Sequence, residues 1–177
     1  ALTDDGLDDE TVLMDGWAAP RDVTFSPDGE WIAYSQDDLD FNEEVFILPV
    51  DGDGEPVNVS QHPRSDGHPV WSPDGSKLGF VSERSGNDAD IWFAWLREAD
   101  FERTKRDWEE IQEATDDENG DEEETVSVEI DLEDIHERLV RVTAMPGNED
   151  SPVISKDGQT FYFVAGEGGR TTTFDES

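Results

Sequence analysis

Short runs in which apolar and polar residues alternate recur along the chain. Trp31-Ile32-Ala33-Tyr34-Ser35, Lys77-Leu78-Gly79-Phe80-Val81-Ser82 and Thr160-Phe161-Tyr162-Phe163-Val164 place every second side chain on one face and predict β-strands. Each run follows the same turn, in Val23-Thr24-Phe25-Ser26-Pro27-Asp28-Gly29, Pro69-Val70-Trp71-Ser72-Pro73-Asp74-Gly75 and Pro152-Val153-Ile154-Ser155-Lys156-Asp157-Gly158. In such a turn Pro presets φ, Asp bonds back to the backbone and Gly takes a positive φ. The unit is therefore a hairpin, and its repeated turn residues are Ser26, Pro27, Asp28 and Gly29, then Ser72, Pro73, Asp74 and Gly75, then Ser155, Asp157 and Gly158. Lys156 replaces proline in the third copy, which raises unfolded-state entropy and leaves the turn available.

A third strand is predicted at Glu44–Val50 and at Asp90–Leu96, and a fourth at Pro56–Ser60 after the Asp51-Gly52-Asp53-Gly54 turn. Ser26 and Ser72 stand 46 residues apart, close to the roughly 40–45 residues of a four-stranded propeller blade. Ser72 and Ser155 stand 83 apart, so the second copy carries about 37 extra residues. Residues 98–114 lack Gly and Pro and set Phe101, Trp108 and Ile111 on one helical face, which predicts a single amphipathic helix. Seven acids in nine residues follow at 116–124, read as a mobile loop, and then Arg138–Thr143 supplies the missing fourth strand. The predicted fold class is all-β, a β-propeller fragment of four-stranded antiparallel blades with one inserted helix. Residues 1–16 end a preceding blade, with a strand near Thr11–Met14, and 17–62 form a blade. Residues 63–146 form a blade with an insertion at about 97–125, and 147–177 form a truncated blade that stops after its second strand near Gly166. Thr171–Phe174 would begin a third strand there.

The repeated P-x-[WF]-S-P-D-G signature, followed by a strand of the form [IL]-x-[FY]-x-S, resembles the TolB-type propeller repeat. That repeat is also found in tricorn-like peptidases and in relatives of prolyl oligopeptidase. The stretch Val128-Glu129-Ile130-Asp131-Leu132-Glu133-Asp134-Ile135-His136-Glu137-Arg138, behind an acidic run, is similar to a segment late in the propeller region of tricorn-like serine peptidases. The first resemblance covers most of the chain and the second about 28 residues. Together they imply the N-terminal propeller region of a larger peptidase, with PDZ and catalytic domains elsewhere, in which propellers control access of unfolded or peptide substrates. The alternative is a stand-alone TolB-like propeller that binds protein partners. Two full blades cannot close a ring, so open blade faces are expected to meet another copy, the remaining propeller and peptidase domains, or a protein or peptide partner.

Charge narrows the partners. Among 177 residues, 47 acids oppose 12 bases for a formal charge of -35, which excludes docking on nucleic acid phosphates or anionic lipid. Removing 116–124 still leaves 40 acids against 12 bases, so the excess is spread over the chain. Carboxylate excess with three Lys to nine Arg is the pattern of a protein adapted to high salt, where screening removes self-repulsion. Ten per cent aromatic content, placed mostly within the strand runs, argues for a folded core. There is no cysteine, hence no disulfide or thiolate chemistry. No apolar run reaches the roughly 18 residues of a membrane span, and the start lacks signal-peptide character, which leaves cytoplasmic and periplasmic placement open.

No catalytic, cofactor or metal site is assigned. The recurring Asp28, Asp74 and Asp157 are read as turn residues rather than a ring of carboxylates. His62 and His68, placed in a loop between blades, lack a third ligand. Asp38, Asp40 and Asn42 match the start of a calcium loop, but Glu43 stands where Gly is needed and Pro49 where the bidentate Glu belongs. There is no G-x-S-x-G elbow, and Gly166, Gly168 and Gly169 are followed by no helix that could cradle phosphate.

Overall fold

The computed structural model describes residues 12–13, 16–86, 88–116, 126–166 and 170–175. The strand expected near Thr11–Met14 falls largely outside them, and so does all of the acidic run at 116–124 except Asp116. Three antiparallel sheets follow one another in sequence. The first is β1 (Arg21–Phe25), β2 (Trp31–Asp37), β3 (Glu43–Pro49) and β4 (Val57–Asn58), paired in that order. The second is β5 (Asp66–Trp71), β6 (Lys77–Ser82), β7 (Asp90–Trp95) and β8 (Leu139–Arg141). The third is β9 (Glu149–Ile154), β10 (Thr160–Ala165) and β11 (Arg170–Asp175). β11 pairs with β10 from Thr160↔Asp175 to Ala165↔Arg170, so the third sheet continues past Gly166 with a third strand that includes the Thr171–Phe174 expected to begin one. β4 is shorter than predicted because the Asn58 side chain accepts the N–H groups of Ser60 and Gln61, at 3.0 and 2.9 Å, and turns the chain away.

The meander pattern leaves each sheet with two faces to cover, and the sheets cover each other. Ala33, Val45 and Ile47 of the first sheet meet Leu78, Phe80 and Ala94 of the second in one buried cluster. Ile91 and Phe93 of the second sheet meet Ile154, Phe161 and Phe163 of the third in another, with Phe93 and Phe161 stacked at 5.4 Å. Alternation along β6 makes this geometry: Leu78 and Phe80 point one way, Gly79 and Val81 the other. At Gly79 the third sheet packs tightly, since an added Cβ would stand 3.2 Å from Ile154 and 3.3 Å from Phe161. Each fully buried Phe contributes roughly 2–3 kcal/mol, so most of the stability resides between the sheets.

The insertion departs from the single predicted helix. It forms α1 (Glu98–Phe101) and α2 (Lys105–Asp116), broken at Thr104. Thr104 caps α2 reciprocally: its N–H and hydroxyl donate to the Asp107 carboxylate at 2.8 and 2.7 Å, and the Asp107 N–H points back at the hydroxyl. Those bonds hold the Asp107 carboxyl below its usual range. Trp108 docks the helix by stacking on Trp95 of β7 at 5.1 Å, whereas Phe101 and Ile111 of the same predicted face stay substantially exposed.

Candidate functional site at the first strands

The repeated turns lie between the first and second strand of each sheet and share one hydrogen-bond pattern. The Ser26, Ser72 and Ser155 N–H groups donate to the carbonyls of Trp31, Lys77 and Thr160, and Gly29, Gly75 and Gly158 N–H groups donate back to the three serine carbonyls. The Ser hydroxyls accept the N–H of Trp31, Lys77 and Thr160, at 2.9, 2.8 and 2.8 Å. Gly29, Gly75 and Gly158 take φ of 76, 76 and 71°, the conformation that favours glycine. The Ser26 and Ser155 hydroxyls bond Asp28 and Asp157, while Asp74 instead holds Ser76 through its N–H and hydroxyl. Burial pushes the Asp28 carboxyl up, but bonds from Ser26, Val128 and Glu30 outweigh it and leave it lowered. Asp157 is lowered by Ser155 and the Gln159 N–H.

These turns also reach their neighbours. The Val128 N–H donates to Asp28 at 2.7 Å, tying the end of the insertion to the first sheet. Gly158 sits against the Asp74 carboxylate, and its carbonyl accepts from Lys77 Nζ at 2.5 Å. Lys77 is buried, with Nζ 4.4 Å from the centre of the Trp95 ring.

At the other end of the first strands the backbone repeats a feature that sequence reading missed. β1, β5 and β9 each carry a register slip, between Arg21 and Thr24, Gly67 and Val70, and Asp150 and Val153. Each slip contains a non-glycine residue at positive φ: Asp22 at 52°, His68 at 54° and Ser151 at 56°. All three stand four residues before the repeated serine. Left-handed backbone at such residues costs of order 1 kcal/mol or more, which the surrounding pairing must offset. The strands carrying these slips contact one another, β1 with β5 and β5 with β9. His68, far from lying in an interblade loop, bridges all three sheets: Nδ1 is 2.9 Å from Asp150 and Nε2 3.8 Å from Asp22. Beside it Arg21 pairs with Asp37 at 2.7 Å and Glu43 at 3.0 Å. A cavity of about 230 Å³ opens here, lined by Glu43, Gly67, His68 and Asp150 among others.

Buried carboxylates underlie this end. Asp66 has no solvent exposure and lies 3.3 Å from Arg84, and burial pushes its carboxyl up to about 6. Glu44 is buried and raised for the same reason, although it accepts the His62 N–H at 2.8 Å and bonds the Ser60 hydroxyl. Both carboxylate oxygens of Asp90 accept from Arg141 Nη2, at 2.9 and 2.8 Å. His62 and His68 thus serve different neighbours, and among the described residues no group of three or more His, Cys, Asp or Glu is placed to hold a metal ion. Asp38 spends its carboxylate on the N–H groups of Asp40 and Asn42, forming a turn at the start of the failed calcium loop.

No protein-family model matches the sequence. Dipeptidyl-peptidase 5 of Porphyromonas gingivalis is 31% identical over 87 residues, 44% of this chain and 13% of that protein. The putative TolB of Agrobacterium tumefaciens matches in structure with a TM-score of 0.60 at 16% identity, covering 93% of this chain and 48% of that one. Tricorn protease matches with a TM-score of 0.60 at 14% identity, covering 86% of this chain and 17% of that one. The chain spans less than half the length of each. The fold is that of consecutive β-propeller blades, similar to that of TolB and tricorn protease. No helix among the described residues is long and apolar enough to cross a membrane.

Proposed function

We propose that the chain is a non-catalytic propeller segment of a tricorn-like serine peptidase, acting in substrate gating or in assembly of the peptidase domains. In this reading the blades are 17–62, 63–146 and 147–177, and the repeated Ser, Asp and Gly turns are structural latches between them. One observation carries the proposal. Ala33 and Ser35, and their counterparts Gly79 and Val81, occupy the sheet face that the following blade covers, while the third-blade counterparts Tyr162 and Val164 are 40% and 38% exposed. Val153 is likewise 56% exposed, whereas its counterpart Val70 packs against the third blade. An exposed apolar face with interface register fits a further blade of the same kind, or a second copy, better than it fits water.

The distribution of reactive groups supports a non-catalytic role. The repeated serines are held by turn bonds, and His68 is engaged by Asp22 and Asp150 rather than by a nucleophile. The test is the intact protein encoded with these blades. It should degrade unfolded protein, the isolated chain should hydrolyse no peptide, and Tyr162→Asp with Val164→Asp in the intact protein should uncouple blade docking and alter substrate-size selection. A gene that encodes no peptidase domain alongside the blades refutes this reading in favour of a TolB-like binding propeller. Peptide hydrolysis by the pure chain refutes both.

A further inference from the structure

The insertion builds a second, larger cavity of about 720 Å³, away from the first-strand end. α1 and the residue after it line it with Glu98, Phe101 and Glu102, and the stretch running through the 3-10 turn at Ile135–Glu137 lines it with Leu132, Glu133 and Glu137. Both walls are fixed from beneath. The Asp131 carboxylate accepts the Glu98 N–H at 2.8 Å, at the start of α1, and the Asp131 N–H donates to the Leu96 carbonyl at 2.9 Å. Arg138, only 4% exposed, donates to the carbonyls of Trp95 at 3.2 Å and Glu133 at 2.9 Å, and to that of Asp131. Arg138, the one base among the described lining residues, is therefore part of the floor.

A few carboxylates elsewhere have bases: Asp37 and Glu43 share Arg21, Asp66 has Arg84, Asp90 has Arg141 and Asp100 has Arg103. Among the described residues, Glu98, Glu102, Glu133 and Glu137 have no basic partner within 4 Å. Two large apolar side chains in the same lining, Phe101 and Leu132, are 43% and 37% exposed. A preformed groove with unpaired carboxylates around apolar surface is complementary to a chain that brings both missing components.

We propose that this groove docks a peptide segment in which basic side chains flank a large apolar one. Phe101 and Leu132 receive the apolar anchor, and the four glutamates receive the basic side chains. The volume falls within the roughly 300–1,000 Å³ of ligand sites, enough for a few residues of an extended peptide. The site is independent of the exposed face of the third blade.

The experiment titrates a fluorescein-labelled Lys-Arg-Leu-Phe-Arg-Lys peptide into the full chain, read by anisotropy at the lowest salt that keeps the chain folded. Saturable one-to-one binding is expected, weakened about fivefold by Glu102→Gln with Glu133→Gln and about tenfold by Phe101→Ser with Leu132→Ser. The Gln variant alters only exposed side chains, so its effect is readable even if the Ser variant unfolds. A peptide with Gly-Gly in place of Leu-Phe should bind at least tenfold more weakly, and one with Ser in place of every base should not bind. Equal binding of the Gly-Gly peptide would show that bulk acidity suffices and would overturn the proposal. So would equal binding of the uncharged apolar peptide, binding unaffected by the groove variants, or no saturable binding.

Discussion

Gly158→Ala tests whether turns of neighbouring blades lock on one another, with Gly29→Ala as the matched control. Both glycines hold a positive φ, 71° and 76°, so alanine brings left-handed strain of about 1–2 kcal/mol at either site, reduced by lower unfolded-state entropy to a net of about 1. Their surroundings differ. At Gly29 an added Cβ meets nothing within 4 Å, whereas at Gly158 it would stand 2.2 Å from Asp74 Oδ2 and 2.6 Å from its Cγ. The carboxylate must move, and it then gives up the Ser76 N–H at 3.2 Å and the Ser76 hydroxyl at 2.8 Å. Two exposed hydrogen bonds at roughly 0.5–1 kcal/mol each put the expected loss for Gly158→Ala about 1–2 kcal/mol beyond that for Gly29→Ala. Urea denaturation followed by tryptophan fluorescence resolves such a difference. In an Asp74→Ala background the excess should vanish, because the obstructing carboxylate is gone. Equal losses at the two glycines, or an excess that persists without Asp74, would refute the latch.

Two further expectations concern charge. The Asp66 carboxyl has a folded value of about 6 against 3.8 for the free group, so the folded state takes up its proton first. The burial penalty acts in full above about pH 6 and is relieved as pH falls toward 4, a gain of about 2 kcal/mol between pH 7 and 4. Asp66→Asn should flatten that part of the stability profile, and an unchanged slope would show that Asp66 is not its source. For the chain as a whole, self-repulsion from a formal charge of -35 should yield to screening, raising the melting temperature by more than about 5 °C from low to molar salt. A melting temperature indifferent to salt would remove the case for a saline habitat.

The blades were legible because their information is local. Ser-Pro-Asp-Gly fixes a turn chemically, the strands behind it alternate, and recurrence at 46 residues announces the unit. The break in the inserted helix was also written locally, as Thr104 three residues before Asp107, but the shared face of Phe101, Trp108 and Ile111 suggested continuity. The first-strand slips were not legible. Asp22, His68 and Ser151 have no residue type in common, and none is the glycine that normally marks a left-handed backbone. Only their constant offset of four from the repeated serine could have aligned them. His68 was read as part of a loop between blades, yet pairing of Asp66 and Gly67 with Ser82 and Val81 holds its neighbours in a strand. The groove beside α1 was equally hidden, since its walls are separated in sequence by the whole of α2 and the acidic run.

Ile32, Tyr34 and Leu48 form a buried cluster on the first sheet itself, but the other two apolar clusters lie between sheets, and no single sheet supplies either of them. The first of these two draws on residues from Ala33 to Ile135, and the second on residues from Ile91 to Phe163. A ribosome delivering this chain from its N-terminus therefore holds Val45 and Ile47 without their partners until Leu78 and Phe80 emerge, and the cluster closes only with Val128 and Ile135. During synthesis each hairpin is an unfinished surface awaiting its successor, and the inserted segment, although it interrupts the repeat, lengthens that wait by the time needed to translate it.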